Sequence, residues 1–286
     1  MIVLSDLSPE DADVFGLVLA SEQIVFDFKA KPTGLVDLVT GQGDMEKALD
    51  VITLYLEENK ATVPLRPIFP ERFHKTYSGL FVSVLLLVIH ARVSSPAYRS
   101  ETINRFAASA DLILQGEIHR CATALFLHGD DMHLLGNMAG IALFGTAVIS
   151  LTGPGLGWLM IVLSGIAGNG INAWFFQSDH VSIGASTAVF GAVGILAAIR
   201  FIRLLWEKGV HINTFLPLGA GLALLGILGS STHTDISAHL FGYLSGLILG
   251  ALYAMTVRHP FPDWLQTVLL FITTLILAAC FYISPG

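Results

Sequence analysis

From about residue 76 onward the chain alternates between long apolar runs and short polar breaks. The runs are Thr76–Val93, Met132–Leu151, Gly155–Phe176, Gly184–Leu205, Thr214–Gly229, Ile236–Met255 and Trp264–Tyr282. Each approaches the ~20 residues that a helix needs to cross the hydrocarbon of a bilayer. The pattern therefore predicts seven transmembrane helices. Between the first and second, Ser94–Gly129 mixes apolar pieces (Ile113–Leu114, Ala122–Leu127) with Arg99, Arg105 and Arg120. This stretch predicts an interfacial, partly helical insertion.

The first 60 or so residues follow another rhythm, with frequent charges and no run long enough to span. Ser8 before Pro9 reads as an N-cap and a first-turn proline, opening a helix to about Ala20. Ile24–Lys29 and Leu35–Thr40 read as strands around a Lys-Pro-Thr-Gly turn. From Asp44 to about Glu57, Met45, Leu49, Ile52 and Leu56 recur at helical spacing. The expected order is helix, strand, strand, helix: a small soluble α/β domain at 1–60. Pro64, Pro67 and Pro70 block helix formation and mark a linker at 61–75.

Composition agrees with the membrane reading. Of 286 residues, 53% are hydrophobic and 13% charged, and the mean hydropathy is +0.70. A soluble domain of this size does not reach such values. The net charge of −7 offers no basic footprint for nucleic acid. Cys121 and Cys280 are too few and too far apart for a disulfide framework or a zinc motif. The acidic N-terminus lacks the basic region of a signal peptide. Arg66, Arg72, Lys75, Arg200, Arg203, Lys208 and Arg258 all fall on one side if the N-terminus is cytoplasmic. The long first loop carries Arg92, Arg99, Arg105 and Arg120 on the other side, diluted by Glu101, Asp111 and Glu117. The expected topology is N-terminus inside and C-terminus outside, in a bacterial inner membrane.

Within the apolar runs, a few polar residues carry the chemistry. Ser186 opens the fourth run and His239 lies near the start of the sixth, while His133 and Asn137 open the second. In the predicted topology all lie at one shallow depth below the outer face. Polar groups inside membrane helices raise a functional hypothesis by default. A serine needs a base within hydrogen-bond reach to become a nucleophile, and His239 can serve if the fourth and sixth helices touch. Gly242, Gly246 and Gly250 form a small-residue face that permits such contact. Phe190 projects on the serine side, where it can pack on the imidazole. Asn137, His133 and the Ser186 N–H are candidate donors to a tetrahedral oxyanion. Asp235, four residues before His239, reads as a helix cap or as an orienting acid.

Each of these residues has a plainer reading when taken alone. Ser186 reads as a packing serine and His239 as an interhelical donor. His128 and His133 beside Asp130 and Asp131 read as metal ligands, although no His-Glu-x-x-His occurs. His74, His90, His180, His211, His233 and His259 sit mostly at span edges and receive no role. The conjunction of motifs, in order and on one membrane side, favours catalysis.

The residues also resemble a known family, the rhomboid intramembrane serine proteases, over roughly residues 74–260. His128-x-x-x-x-His133-x-x-x-Asn137 is similar to its second-helix motif, Gly184-Ala185-Ser186 to its nucleophile motif, and Ala238-His239-x-x-Gly242 to its base motif. The resemblance implies a dyad of Ser186 and His239, and an oxyanion hole at His133 and Asn137. It also implies a structural role for His128 under the first loop, and an aromatic, Phe190, stacked on the base. Two positions depart from the pattern. Thr187 replaces the glycine that commonly follows the nucleophile, where a β-branched side chain is expected to narrow the oxyanion pocket. His119-Arg120 stands where many members have Trp-Arg, which weakens the expected anchoring of the first loop in the outer leaflet.

The expected fold is an all-α polytopic membrane protein: a six-helix rhomboid-like core at 76–258, a seventh helix within 259–286, and the small N-terminal domain. Gly184, Gly242 and Gly246 are expected to support the site. The expected function is cleavage of transmembrane substrates within the bilayer, with no cofactor, no metal and no nucleic-acid partner. The alternatives are a non-catalytic binder of membrane helices, and a metal or proton transporter built on His128, Asp130, Asp131 and His133. No oligomeric state follows from the sequence.

Overall fold

The computed structural model describes residues 1–32, 34–59, 74–94, 96–228, 235–257 and 259–284. The expected linker prolines, Arg66, Arg72, Arg258 and residues 230–234 lie outside the described residues. The chain forms two compact units, Met1–Leu65 and Arg66–Gly286.

The first unit runs β1 (Ile2–Leu7), α1 (Pro9–Ser21), β2 (Phe26–Ala30), β3 (Val36–Thr40) and α2 (Met45–Glu58). Its antiparallel sheet has the order β1-β3-β2. The Ser8 hydroxyl caps α1 by accepting from the Asp11 N–H at 3.1 Å, and Pro9 supplies a fixed first turn. Val3, Leu19, Ile24, Leu38, Ala48 and Ile52 form the core between sheet and helices. Lys31 bridges Asp6 at 2.9 Å and Asp37 at 2.7 Å, fastening β1 to the β2–β3 hairpin. The expected order lacked β1. Its sequence, IVLSDL, buries only Val3, so it presents no clean period of two.

The second unit is mostly helical. Its first elements are α3 (Ser78–Val93), then α4 (Pro96–Phe106), β4 (Ala108–Ser109), α5 (Ala110–Leu114) and α6 (Arg120–Thr123) within the long first loop. Next come α7 (Asp131–Gly140) and α8 (Thr146–Thr152), joined through a π-helical turn at Ile141–Gly145. Then follow α9 (Pro154–Phe176), β5 (Val181–Ser182), α10 (Ser186–Lys208), α11 (Leu216–Leu228), α12 (Ile236–Thr256) and α13 (Asp263–Ile283). Among the described residues, five helices are long and apolar enough to cross a membrane: Asp131–Thr152, Pro154–Phe176, Ser186–Lys208, Ile236–Thr256 and Asp263–Ile283. The first and fifth apolar runs yield shorter helices, Ser78–Val93 and Ile212–Leu228, so the described residues hold five helices of spanning length where seven were expected. The all-α expectation also misses one β pairing, in which Ala108 faces Ser182 and Ser109 faces Val181.

Glycines set how closely the central helices approach. A Cβ on Gly246 would lie 2.0 Å from the Gly191 carbonyl, one on Gly242 2.1 Å from the Thr187 carbonyl, and one on Gly194 2.2 Å from the Tyr243 carbonyl. Helices α10 and α12 thus meet backbone to backbone. α9 joins them through Gly168, whose Cβ would sit 2.6 Å from Thr187 Cγ2 and 2.7 Å from the Gly242 nitrogen. In lipid no hydrophobic drive pulls helices together, so association rests on this kind of close packing.

Two further attachments shape the bundle. Gln266 of α13, 3% exposed, caps α9: its Oε1 accepts the N–H groups of Gly155 and Leu156 at 2.9 and 3.0 Å. At the other end of α13, Phe281 packs on Phe106 and Phe126, and Arg105 donates to the Ser284 carbonyl at 3.0 Å. The first loop is therefore braced by α13. Arg120 is buried inside that loop, paired with Glu117 at 2.6 Å and donating to the carbonyls of Asn104 and Ala107. His119 is buried beside it rather than turned outward.

Candidate active site

Ser186 is the first residue of α10 and is 9% exposed. The turn that delivers it is held by the Gly184 N–H, which donates to the Ala124 carbonyl at 3.0 Å. Gly184 has φ +129, a conformation that disfavours any side chain. A Cβ there would lie 2.7 Å from His133 Nε2 and 3.3 Å from Ser186 Oγ. The glycine is thus required on two counts, and its bare Cα lets the serine hydroxyl and the His133 imidazole flank one spot.

His239 sits in the first turn of α12 and is 2% exposed. The Phe190 ring, one turn after Ser186, lies over it with centroids 4.8 Å apart and planes at 31°. Ser186, Phe190 and His239 line one cavity of about 650 Å³, together with His133 and Asn137. The rest of its wall is largely apolar, from Gly136, Gly140, Leu143 and Phe144 to Leu224 and Leu228 of α11. Asp130 stands at the same cavity and caps α7, accepting the His133 N–H at 2.9 Å.

Two buried nitrogens at this cavity, His133 Nε2 and Asn137 Nδ2, have no hydrogen-bond partner among the described residues. Buried polar atoms are nearly always paired, so such exceptions need an explanation. Both line the cavity, where they are placed to meet a group that enters it. His128 is buried edge-on against His133, with centroids 5.4 Å apart, and against His90 of α3 at 6.2 Å. Its contacts with both neighbours are edge-on ring packing. Burial, together with the adjacent His133 and His90, pushes its pKa down to about 3.

Thr187 does not face the cavity. Its hydroxyl donates to Asn169 Oδ1 at 2.9 Å, and Asn169 Nδ2 donates to the Cys121 carbonyl at 2.9 Å. The threonine therefore ties α10 to α9 and the first loop, and the expected narrowing of the oxyanion pocket does not arise. No three His, Cys, Asp or Glu side chains converge as a metal site among the described residues.

Sequence reasoning gave no role to His90, His180, Asn169 or Asn172. His90 Nε2 lies 3.1 Å from Asp131 Oδ1. His180 and Asn172 both meet Asp235. The available signal was the pair Asn169 and Asn172, three residues apart in an otherwise apolar helix.

The sequence is similar to known proteins over the same region. A family model described as Rhomboid domain matches residues 115–256. The chain is 30% identical over 172 residues to RHOMBOID-like protein 7 of Arabidopsis thaliana, covering 58% of this chain and 52% of that one. It is 29% identical over 205 residues to Rhomboid protease GluP of Bacillus subtilis (strain 168), covering 69% of this chain and 38% of that one. With the rhomboid relative YdcA of the same bacterium it is 32% identical over 141 residues, 49% of this chain and 69% of the relative. The first two matches span about half or less of the relatives' own lengths.

Proposed function

The chain belongs to the rhomboid family, and on that premise we propose that it is an intramembrane serine endopeptidase. Ser186 attacks a scissile carbonyl in or beside a substrate's transmembrane segment. His239 takes the hydroxyl proton and returns it to the leaving amine. Asn137 Nδ2, His133 Nε2 and the Ser186 N–H hold the oxyanion. Water then hydrolyses the acyl-enzyme, with His239 again acting as base. The observation that carries this reading is the shared cavity: nucleophile, base and two unpaired donors line one space of about 650 Å³.

The apolar side of that cavity supports substrates that arrive from the bilayer past Leu224 and Leu228 of α11. A helical segment in lipid keeps its backbone hydrogen bonds, so it must unwind locally to offer a peptide bond. In this reading residues 76–258 form the six-helix core, 259–286 hold a seventh spanning helix, 61–75 form a linker, and 1–60 form a cytoplasmic domain. The site opens to the outer side of a bacterial inner membrane.

A fluorophosphonate reagent tests the chemistry without a substrate. Mass spectrometry is expected to find one adduct, on Ser186, and none in His239→Ala. An unlabelled Ser186 in folded protein would instead favour non-catalytic binding of membrane helices.

A further inference from the structure

His180 and Asp235 lie just ahead of the two proposed catalytic residues in sequence, and they meet in space. His180 precedes Ser186 by six residues, and Asp235 precedes His239 by four. His180 Nε2 donates to Asp235 Oδ2 at 2.6 Å, and Asn172 Nδ2 of α9 donates to the same oxygen at 2.7 Å. The other carboxylate oxygen accepts the Ala238 N–H at 3.0 Å and the Ser237 hydroxyl at 2.6 Å, capping α12. The Asp235 carbonyl accepts the His239 N–H at 3.1 Å.

The histidine is fixed from the other side. Its ring stacks on Phe176 at 3.9 Å with planes 10° apart. Its carbonyl accepts the Ala110 N–H at 2.8 Å. From there the chain runs through β5 into the Gly184 turn and Ser186. The remaining carboxylates near this side are Asp179 and Asp111, the latter accepting the Asp179 N–H at 3.1 Å. A single aspartate thus joins the segment that leads to the serine, the turn that carries the histidine, and α9.

We propose that Asn172, His180 and Asp235 form a positioning clamp that sets Ser186 in register with His239. The inference rests on reading these two as nucleophile and base. The glycines that bring α12 against the α10 backbone, Gly242, Gly246 and Gly250, all follow His239 in sequence. The first turn of α12 is capped by the Asp235 carboxylate, which accepts the Ala238 N–H at 3.0 Å. A charge-assisted hydrogen bond at 2.6 Å is short and directional. A misplacement of about 1 Å in a reacting pair costs on the order of 10²-fold in rate, so a cap that also grips the serine segment has leverage on catalysis.

Full-length protein in proteoliposomes tests the clamp through kcat and KM for a membrane-helix substrate, and through the rate of Ser186 labelling by a fluorophosphonate. Asp235→Asn keeps an oxygen for the Ala238 N–H but turns an amide donor toward His180 and Asn172. It is expected to lower kcat and labelling about 10- to 100-fold with KM little changed. The exchange Asn172→Asp with Asp235→Asn returns one carboxylate to the donors, and is expected to recover most of the loss. An Asp235→Asn variant as fast as wild type, a change in KM alone, or an exchange no faster than the single variant would each overturn the clamp. If wild type neither cleaves nor labels, the protease reading falls and takes the clamp with it; activity in wild type separates the two failures.

Discussion

Helices α10 and α11 flank the same cavity and differ in how they are held. α10 is buried continuously from Ser186 to Ile195. Its glycines and those of α12 interlock at distances that no Cβ could share. α11 buries only Gly221 among its described residues, and Leu216, Leu222, Ile227 and Leu228 are exposed. The Tyr243 hydroxyl of α12 donates to the Leu218 carbonyl of α11 at 2.9 Å. The contrast separates two tasks. The proposed nucleophile sits on the closely packed helix, while α11 presents a more exposed, less closely packed wall to the same cavity.

Outside the nucleophile and base themselves, the largest effect is expected at the proposed oxyanion donors of α7. Asn137→Ala should lower kcat about 10²- to 10³-fold while Ser186 stays in place, as steady-state cleavage would measure. Gly246→Val strikes the interlock itself. The new side chain meets the Gly191 backbone, which cannot rotate away, so a loss of about 3 kcal/mol is expected. A lowered unfolding temperature in detergent would report it. An unchanged one would mean that the two helices are not in backbone contact.

The edge-on imidazole cluster beside the site gives a smaller, pH-dependent effect. In the unfolded chain His128 takes up a proton near 6.5, but in the folded protein only near about 3. The unfolded state therefore binds more protons across that window, and stability falls as pH drops through it. Replacing the ring by His128→Phe should flatten that acid limb in a series of unfolding temperatures. The smallest effect is expected on the loose side. Leu224→Ala should change kcat by less than about threefold and act mainly on KM. A collapse of kcat there would erase the distinction between the two walls.

Much of this arrangement could be read from the sequence, for a physical reason. A serine, two histidines and an asparagine stand out in runs where polar groups are costly, and four of the residues singled out on that ground, Ser186, His239, His133 and Asn137, line one cavity. The Gly242, Gly246 and Gly250 spacing anticipated the close face of α12. What escaped depends on contacts between distant segments. Thr187 looked like an obstruction because its partner, Asn169, lies 18 residues away on another helix. His180 and Asp235 are 55 residues apart and carry no local motif. β1 has a single buried side chain, so its pairing with β3 leaves little trace in the hydrophobic pattern.

The central claim is that Ser186 and His239 act as one catalytic unit inside the membrane. Its most direct measurement is cleavage of a transmembrane substrate by purified full-length protein in proteoliposomes, with Ser186→Ala and His239→Ala alongside. Cleavage by wild type and a loss on the order of 10⁴-fold or more in both variants is the predicted result. Cleavage that survives in both variants would contradict it.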